Sequence, residues 1–178
     1  MFTARSMNLP RLTYLSILIG TSIWCLAIVL APVCMTLPAP FASGGAVVYS
    51  VFHPICHQIP DRSLVVAGHP LAVCLRCSAI YFAFLAATLL YPLVRDLRRP
   101  VIPPRWILVL ALLPMVLDAV PGMVGLHDIT VTTRLLTGAI FGVVVPFFVI
   151  PAAIEGIVQL STQSAQSTSH NQKGLTNA

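Results

Sequence analysis

The chain has 178 residues, of which 57% are hydrophobic and 8% are charged. This composition leaves too little polar surface to cover a water-soluble globule, so it excludes a soluble domain and indicates an integral membrane protein. The formal net charge of +5 is explained by membrane topology and by attraction to anionic lipid, so the expected partner is the lipid bilayer and no nucleic acid.

Four apolar segments are each long enough to cross a bilayer, which needs about 20 residues. They are residues 12–33, 71–94, 106–124 and 131–154. Between the first two lies a segment rich in Pro and Gly, in which residues 45–52 suit a short helix in the membrane interface. The sequence therefore predicts an all-α integral membrane protein with four transmembrane helices and a short interfacial segment between the first two.

The end of the chain differs in composition from the rest. Residues 159–178 are mainly Ser, Thr, Gln and Asn. A segment with so little apolar content cannot offset the entropy of ordering, so we expect a disordered polar tail. Residues 1–158 then form a single membrane-embedded helical domain.

The basic residues predict the orientation of the four helices. Seven of the ten Lys and Arg residues fall on the side shared by both termini and by the link between the second and third helices. Basic residues favour the cytoplasmic side, so we expect both termini in the cytoplasm and the protein in the bacterial inner (cytoplasmic) membrane. The histidines at positions 53, 57, 69 and 127 and the paired cysteines then face the extracytoplasmic side.

A group of soft ligands lies in that extracytoplasmic region. His53 and Cys56 form a His-x2-Cys pair, and Cys74 and Cys77 form a Cys-x2-Cys pair. Thiolate and imidazole side chains at these spacings suit a tetrahedral site for zinc or iron. His57 follows Cys56 directly and competes with His53 for the fourth position.

The same cysteines are open to thiol-disulfide chemistry. Arg76 lies between Cys74 and Cys77, and a guanidinium there would lower the thiol pKa values and favour either metal binding or nucleophilic attack. The alternative is that the Arg76 side chain extends to the lipid headgroups. In an oxidising compartment, disulfides between Cys34 and Cys56 and between Cys74 and Cys77 are a further alternative. Tyr81 lies one turn after Cys77 and either supports the site or anchors the helix at the interface.

Two charged residues lie within the later apolar segments. Asp118 and Arg134 are both expected near the outer ends of their helices, and a carboxylate in a membrane span is normally paired. The sequence therefore predicts an ion pair between them, with a proton or metal role for Asp118 as the alternative. Gly138 and Gly142 form a small-xxx-small pair that allows another helix to approach closely, as do Ala79 and Ala83.

The motifs at 54–63 and 73–81, with Cys-His-Gln and Cys-x-Arg-Cys blocks, resemble the signature of a family of small bacterial membrane proteins, domain of unknown function 2085. Asp118 with Pro114, and Arg134 with Gly138 and Gly142, are similar to that family's second block. The resemblance implies a multispan membrane protein and no particular activity. It points to His57 as the histidine that accompanies the three cysteines, whereas spacing alone favours His53.

Three functions are compatible with these features. The first is a structural or accessory metal site, with Arg62, Asp118 and Arg134 as polar support. The second is a membrane thiol-disulfide oxidoreductase that uses Cys74 and Cys77 with Cys56 as a third thiol. The third is a small transporter or an accessory subunit of a membrane complex, acting as a homo-oligomer or with other subunits. Whether the protein is an enzyme stays open at this point.

Overall fold

A computed structural model of the chain describes residues 3–123 and 130–176. The helices in this part of the chain are α1 (Thr3–Met35), α2 (Phe41–Phe52), α3 (Leu75–Val94), α4 (Trp106–Met123), α5 (Val131–Val144) and α6 (Pro146–Thr176). A 3₁₀ turn at Pro60–Arg62 and a two-residue antiparallel pair, β1 (Val65–Val66) with β2 (His69–Pro70), lie between α2 and α3. The mostly helical architecture confirms the predicted fold class, while the small hairpin was not predicted.

Three helical segments are long and apolar enough to cross a membrane, namely Asn8–Met35, Leu75–Val94 and Val131–Gln163. Two shorter apolar helices accompany them, Phe41–Phe52 and Trp106–Val120. Their large apolar side chains are widely exposed, as at Ile23 (63%) and Val109 (66%). Such exposure fits contact with lipid, because the hydrocarbon tails of a bilayer solvate apolar side chains that water solvates poorly. A multispan membrane protein is confirmed, and the fourth crossing stays a prediction.

The helix boundaries differ from the predicted ones for local reasons. The second predicted span, which forms α3, begins as a helix at Leu75 rather than at residue 71, because Cys74 has extended dihedral angles (φ −67°, ψ 163°) and acts as the N-cap. The last predicted span is divided at Val145, next to Pro146, whose ring nitrogen cannot donate a helical hydrogen bond. The helix α6 continues to Thr176 and takes in most of the polar tail. The disorder of that tail stays a prediction.

The closest helix contact is between α3 and α5, and two glycines allow it. A Cβ atom on Gly138 would lie 2.7 Å from the carbonyl oxygen of Arg76, and one on Gly142 would collide with the carbonyl oxygen of Ile80. The neighbouring side chains are those of Ala79 and Ala83, which are the small residues predicted to allow close packing. Because the later glycine meets the later residue of α3, the two helices run parallel.

Two buried clusters lie at opposite ends of this bundle. One, which we call the thiol-end cluster, contains Ile28, Ala31, Phe52, Cys56, Leu71, Ala72 and Val73, with Trp24, Cys74, Cys77 and Tyr81 packed against it. The other, the tyrosine-end cluster, contains Tyr14, Tyr91, Ile150 and Ile154. The short helix α2 packs on α1 at the first of these, where a Cβ on Gly45 would lie 3.0 Å from the carbonyl oxygen of Ala31. The segment that carries Cys56 is thereby held against the bundle.

Candidate metal centre

Three cysteines from two separate segments meet at the start of α3. Their sulfur atoms, on Cys56, Cys74 and Cys77, all lie within 4.8 Å of one another. Cys56 is buried, while Cys74 and Cys77 are half-buried. Cys74 and Cys77 share the first turn of the helix, and Cys56 reaches them from the chain that follows α2. The three cysteines therefore lie together, as their spacing in the sequence predicted.

Backbone hydrogen bonds set the position of Cys56. Its N–H donates to the carbonyl oxygen of Phe52 at 2.9 Å, which closes a turn directly after α2. The N–H of Cys74 in turn donates to the Cys56 sulfur at 3.1 Å. This contact joins the two segments that carry the cysteines.

The Gln58 side chain joins the same two segments through hydrogen bonds. Its Nε2 donates to the carbonyl oxygens of Tyr49 and Ala72, both at 2.8 Å. The backbone of Gln58 has a φ of 49°, a left-handed conformation that turns the chain back toward α3. The Tyr49 hydroxyl also donates to the carbonyl oxygen of Pro70. Sequence reasoning assigned no role to Gln58, and its only signal was its place in the Cys-His-Gln block.

The charge state of the site depends on contacts among the thiols. A hydrogen bond from the Cys77 thiol lowers the pKa of Cys74 to about 5, which outweighs the opposing effect of burial. The backbone N–H of Cys77, the Cys56 thiol and the backbone N–H of Arg76 lower it further. We expected the Arg76 guanidinium to supply this effect, but the contributing contacts are those of the thiols and of the helix N-terminus.

The Arg76 guanidinium binds Asp118 of α4 instead, in an ion pair that joins α3 to α4. The predicted pair between Asp118 and Arg134 is wrong for the part of the chain that the structure describes. The reason is the close α3–α5 contact, which lays the Arg76 stem over Gly138, with Cγ 3.4 Å from the position of a Cβ there. From that position the guanidinium reaches Asp118, whose side chain is 7% exposed.

The histidines proposed as fourth ligand lie outside the group of three sulfurs. His53 and His57 are both exposed. His53 lines a cavity of about 380 Å³ with Tyr49, Ser50, Pro54 and Gln58. Cys56 points inward, so the next residue, His57, is turned outward. The choice of histidine as fourth ligand stays a prediction, and His127 lies outside the described residues.

The remaining candidate residues have different surroundings. Arg62 is exposed at the end of the 3₁₀ turn. Tyr81 is half-buried and its ring lies 5.8 Å from that of Trp24, centroid to centroid, so it packs beside the site. Cys34 lies next to Gly45 of α2, and all five cysteines are free thiols. Cys34 and Cys56 are therefore not joined by a disulfide in this structure.

Comparison with known proteins agrees with this architecture. A family model described as a predicted membrane protein, DUF2085, matches residues 56–148. This chain belongs to that family. An uncharacterized protein of Methanocaldococcus jannaschii is 38% identical over 147 residues, which cover 81% of this chain and 94% of the relative. No solved structure matches the chain.

The family assignment confirms the resemblance drawn from the sequence motifs. The matched residues begin at Cys56, so they include the three cysteines, His57, Asp118 and Arg134 but leave out His53. Membership in a membrane-protein family implies contact with the lipid bilayer. The descriptions of the family and of the relative state no activity.

Proposed function

We propose that this membrane protein binds one soft metal ion, zinc or iron, between Cys56, Cys74 and Cys77. The observation that carries the proposal is the meeting of three sulfurs within 4.8 Å, contributed by segments on either side of the hairpin. Sulfur atoms that share a zinc ion at bond lengths near 2.3 Å lie about 4 Å apart. A small contraction of the group is enough to form such a site.

A structural role fits the surroundings of the site. The chain between α2 and α3 consists mainly of turns and a two-residue strand pair, so it has little regular structure of its own. A metal bound to Cys56, Cys74 and Cys77 would tie this segment to the first turn of α3. His57 or His53 would complete four ligands, and their exposure leaves both side chains free to turn toward the ion. Such a closed site needs no open position for a substrate.

Elemental analysis of detergent-purified protein tests this proposal. We expect about one zinc or iron per chain in the wild type and its loss in Cys56→Ser, Cys74→Ser and Cys77→Ser. Cys34→Ser is the matched control, because Cys34 lies outside the group, and it should keep the metal. A thiol count before and after chelation should rise by three. Folded wild-type protein without metal would contradict the proposal, as would equal metal content in all variants.

A thiol-disulfide oxidoreductase is the second candidate, and the lowered pKa of Cys74 favours it. With a pKa of about 5, this sulfur is a thiolate at neutral pH and is able to attack a substrate disulfide. The mixed disulfide would then be resolved by Cys77, which leaves a Cys74–Cys77 disulfide and two reduced substrate thiols. Stoichiometric reduction of a model disulfide by the reduced protein should be lost in Cys74→Ser. Thiols that react only after chelation would argue against this candidate.

We further propose that the chain crosses the cytoplasmic membrane four times with both termini inside. The parallel direction of α3 and α5 supports this, since the chain must cross back between them and α4 is the helix that connects them. Seven of ten basic residues then lie in the cytoplasm. A cysteine introduced at Ser63 should react with a membrane-impermeant reagent in intact cells, and one at Arg98 should not. The reverse pattern would contradict this topology.

A further inference from the structure

We propose that Asp118 is a positioning residue for the thiol site and acts on it through Arg76. This inference rests on the proposed metal-binding function, because the ligands that it concerns are those of that site. It assigns a role to a carboxylate on α4, a helix that contributes none of the three sulfurs. The ion pair between Asp118 and Arg76 is the physical link.

Arg76 occupies a special place in the first turn of α3, between the two cysteines of that turn. Successive helical residues are separated by about 100°, so Arg76 leaves the helix on a different side from Cys77. On its own side, the carbonyl oxygen of Arg76 lies against Gly138 and its guanidinium binds Asp118. The first turn is therefore held by α5 through the backbone and by α4 through the side chain, and these contacts fix where Cys74 and Cys77 point.

The position of the Arg76 guanidinium depends on the Asp118 carboxylate. The Nε of Arg76 is buried and has no hydrogen-bond partner among the described residues, and the Asp118 side chain is 7% exposed. The Arg76 side chain is 20% exposed, so removing Asp118 leaves a mostly buried charge without its partner, which costs more than removing both residues. Without Asp118, the guanidinium has to move, and the sulfur atoms of Cys74 and Cys77, two and one residues away in the chain, are alternative acceptors for its N–H groups. A guanidinium bound to those sulfurs would compete with the metal.

The test is the affinity of the full chain in detergent for Zn²⁺, measured by competition with a chromophoric chelator. We expect Asp118→Asn to bind at least about 10-fold more weakly, the size of effect typical of residues that support metal ligands. Asp118→Glu should recover part of the affinity. The double variant Asp118→Asn with Arg76→Gln should bind more tightly than Asp118→Asn alone, because the stranded guanidinium is gone. Two independent, additive losses would overturn the inference.

A control variant separates this role from a general effect of removing a charge. Glu155→Gln removes a half-buried carboxylate on α6 that has no place in the thiol site. This variant should bind Zn²⁺ as the wild type does. Equal affinities for Asp118→Asn and Glu155→Gln would overturn the inference and leave the metal site itself standing. Should Asp118→Asn not fold, Arg76→Lys, which keeps the charge but has a single donor group, should show a smaller weakening, and wild-type affinity in it would overturn the inference.

A second measurement distinguishes failure of the inference from failure of the proposed function. Phenylarsine oxide binds neighbouring thiols through its trivalent arsenic, so its rate of capture reports the spacing of the sulfurs when no metal binds. If the wild type bound no Zn²⁺, the proposed function would fail, yet the wild type should still be captured faster than Asp118→Asn. Equal capture rates would then overturn the positioning role of Asp118.

Discussion

The thiol end and the tyrosine end of the bundle are held together in different ways. At the tyrosine end, Tyr14, Tyr91, Ile150 and Ile154 pack directly from long helices, and the Tyr14 hydroxyl donates to the carbonyl oxygen of Thr88 at 3.0 Å. At the thiol end, the irregular chain between α2 and α3 is held by side-chain hydrogen bonds, and three cysteine sulfurs lie close together there. The end that is held by side-chain hydrogen bonds to an irregular segment is also the end where we propose the metal site.

The largest effect should come from filling the close contact beside the thiol end. In Gly138→Ala, the new methyl group would lie 2.7 Å from the carbonyl oxygen of Arg76, so the two helix backbones must separate. Overpacking of this kind costs about 1–3 kcal/mol. Gly156→Ala is the matched control, because nothing lies within 4 Å of its Cβ position. Thermal unfolding in detergent should show a lower melting temperature for the first variant alone, and equal temperatures would contradict the parallel α3–α5 contact.

Loss of the Gln58 side chain should loosen the thiol end and leave the tyrosine end unchanged. Gln58→Ala removes two hydrogen bonds to backbone carbonyls, each worth about 1 kcal/mol. We expect faster alkylation of Cys56, since the segment that buries it opens more often. Ser50→Ala removes an exposed hydroxyl that bonds only within its own helix, so it serves as the control. Unchanged alkylation in Gln58→Ala would show that other contacts hold Cys56.

The smallest effect is expected at the tyrosine end. Tyr14→Phe removes the hydrogen bond to Thr88 and keeps the ring, so it should cost about 1 kcal/mol of stability. Metal content and thiol reactivity should remain those of the wild type, because the substitution lies in the other cluster. A change in metal content or in thiol reactivity would show that the two ends of the bundle are coupled.

Hydropathy and spacing predicted a large part of this molecule. Long apolar segments become helices in a membrane whatever their partners, and Cys-x2-Cys spacing places two sulfurs on one turn. Contacts between distant segments were harder to foresee. The Asp118 partner was predicted from helices adjacent in sequence, whereas the glycines of α5 allow Arg76 of α3 to reach it.

The hydrogen bonds that hold the segment around Cys56 were also not predicted, because they depend on the conformation of the turn in which they lie. Gln58 reaches two carbonyls only because its backbone adopts a left-handed conformation. The exposure of His53 and His57 follows from the same turn, which directs Cys56 inward. Irregular chain of this kind has no periodic pattern from which its side-chain directions can be read.

X-ray absorption at the metal edge of the purified protein tests the central claim most directly, since it counts the ligands around the ion. If Cys56, Cys74 and Cys77 share one metal, the spectrum should show three sulfur neighbours at about 2.3 Å and one lighter ligand. The metal signal should be lost in Cys56→Ser, which removes one of the three sulfur ligands. A wild-type spectrum with only nitrogen and oxygen neighbours would contradict a metal site at the three cysteines.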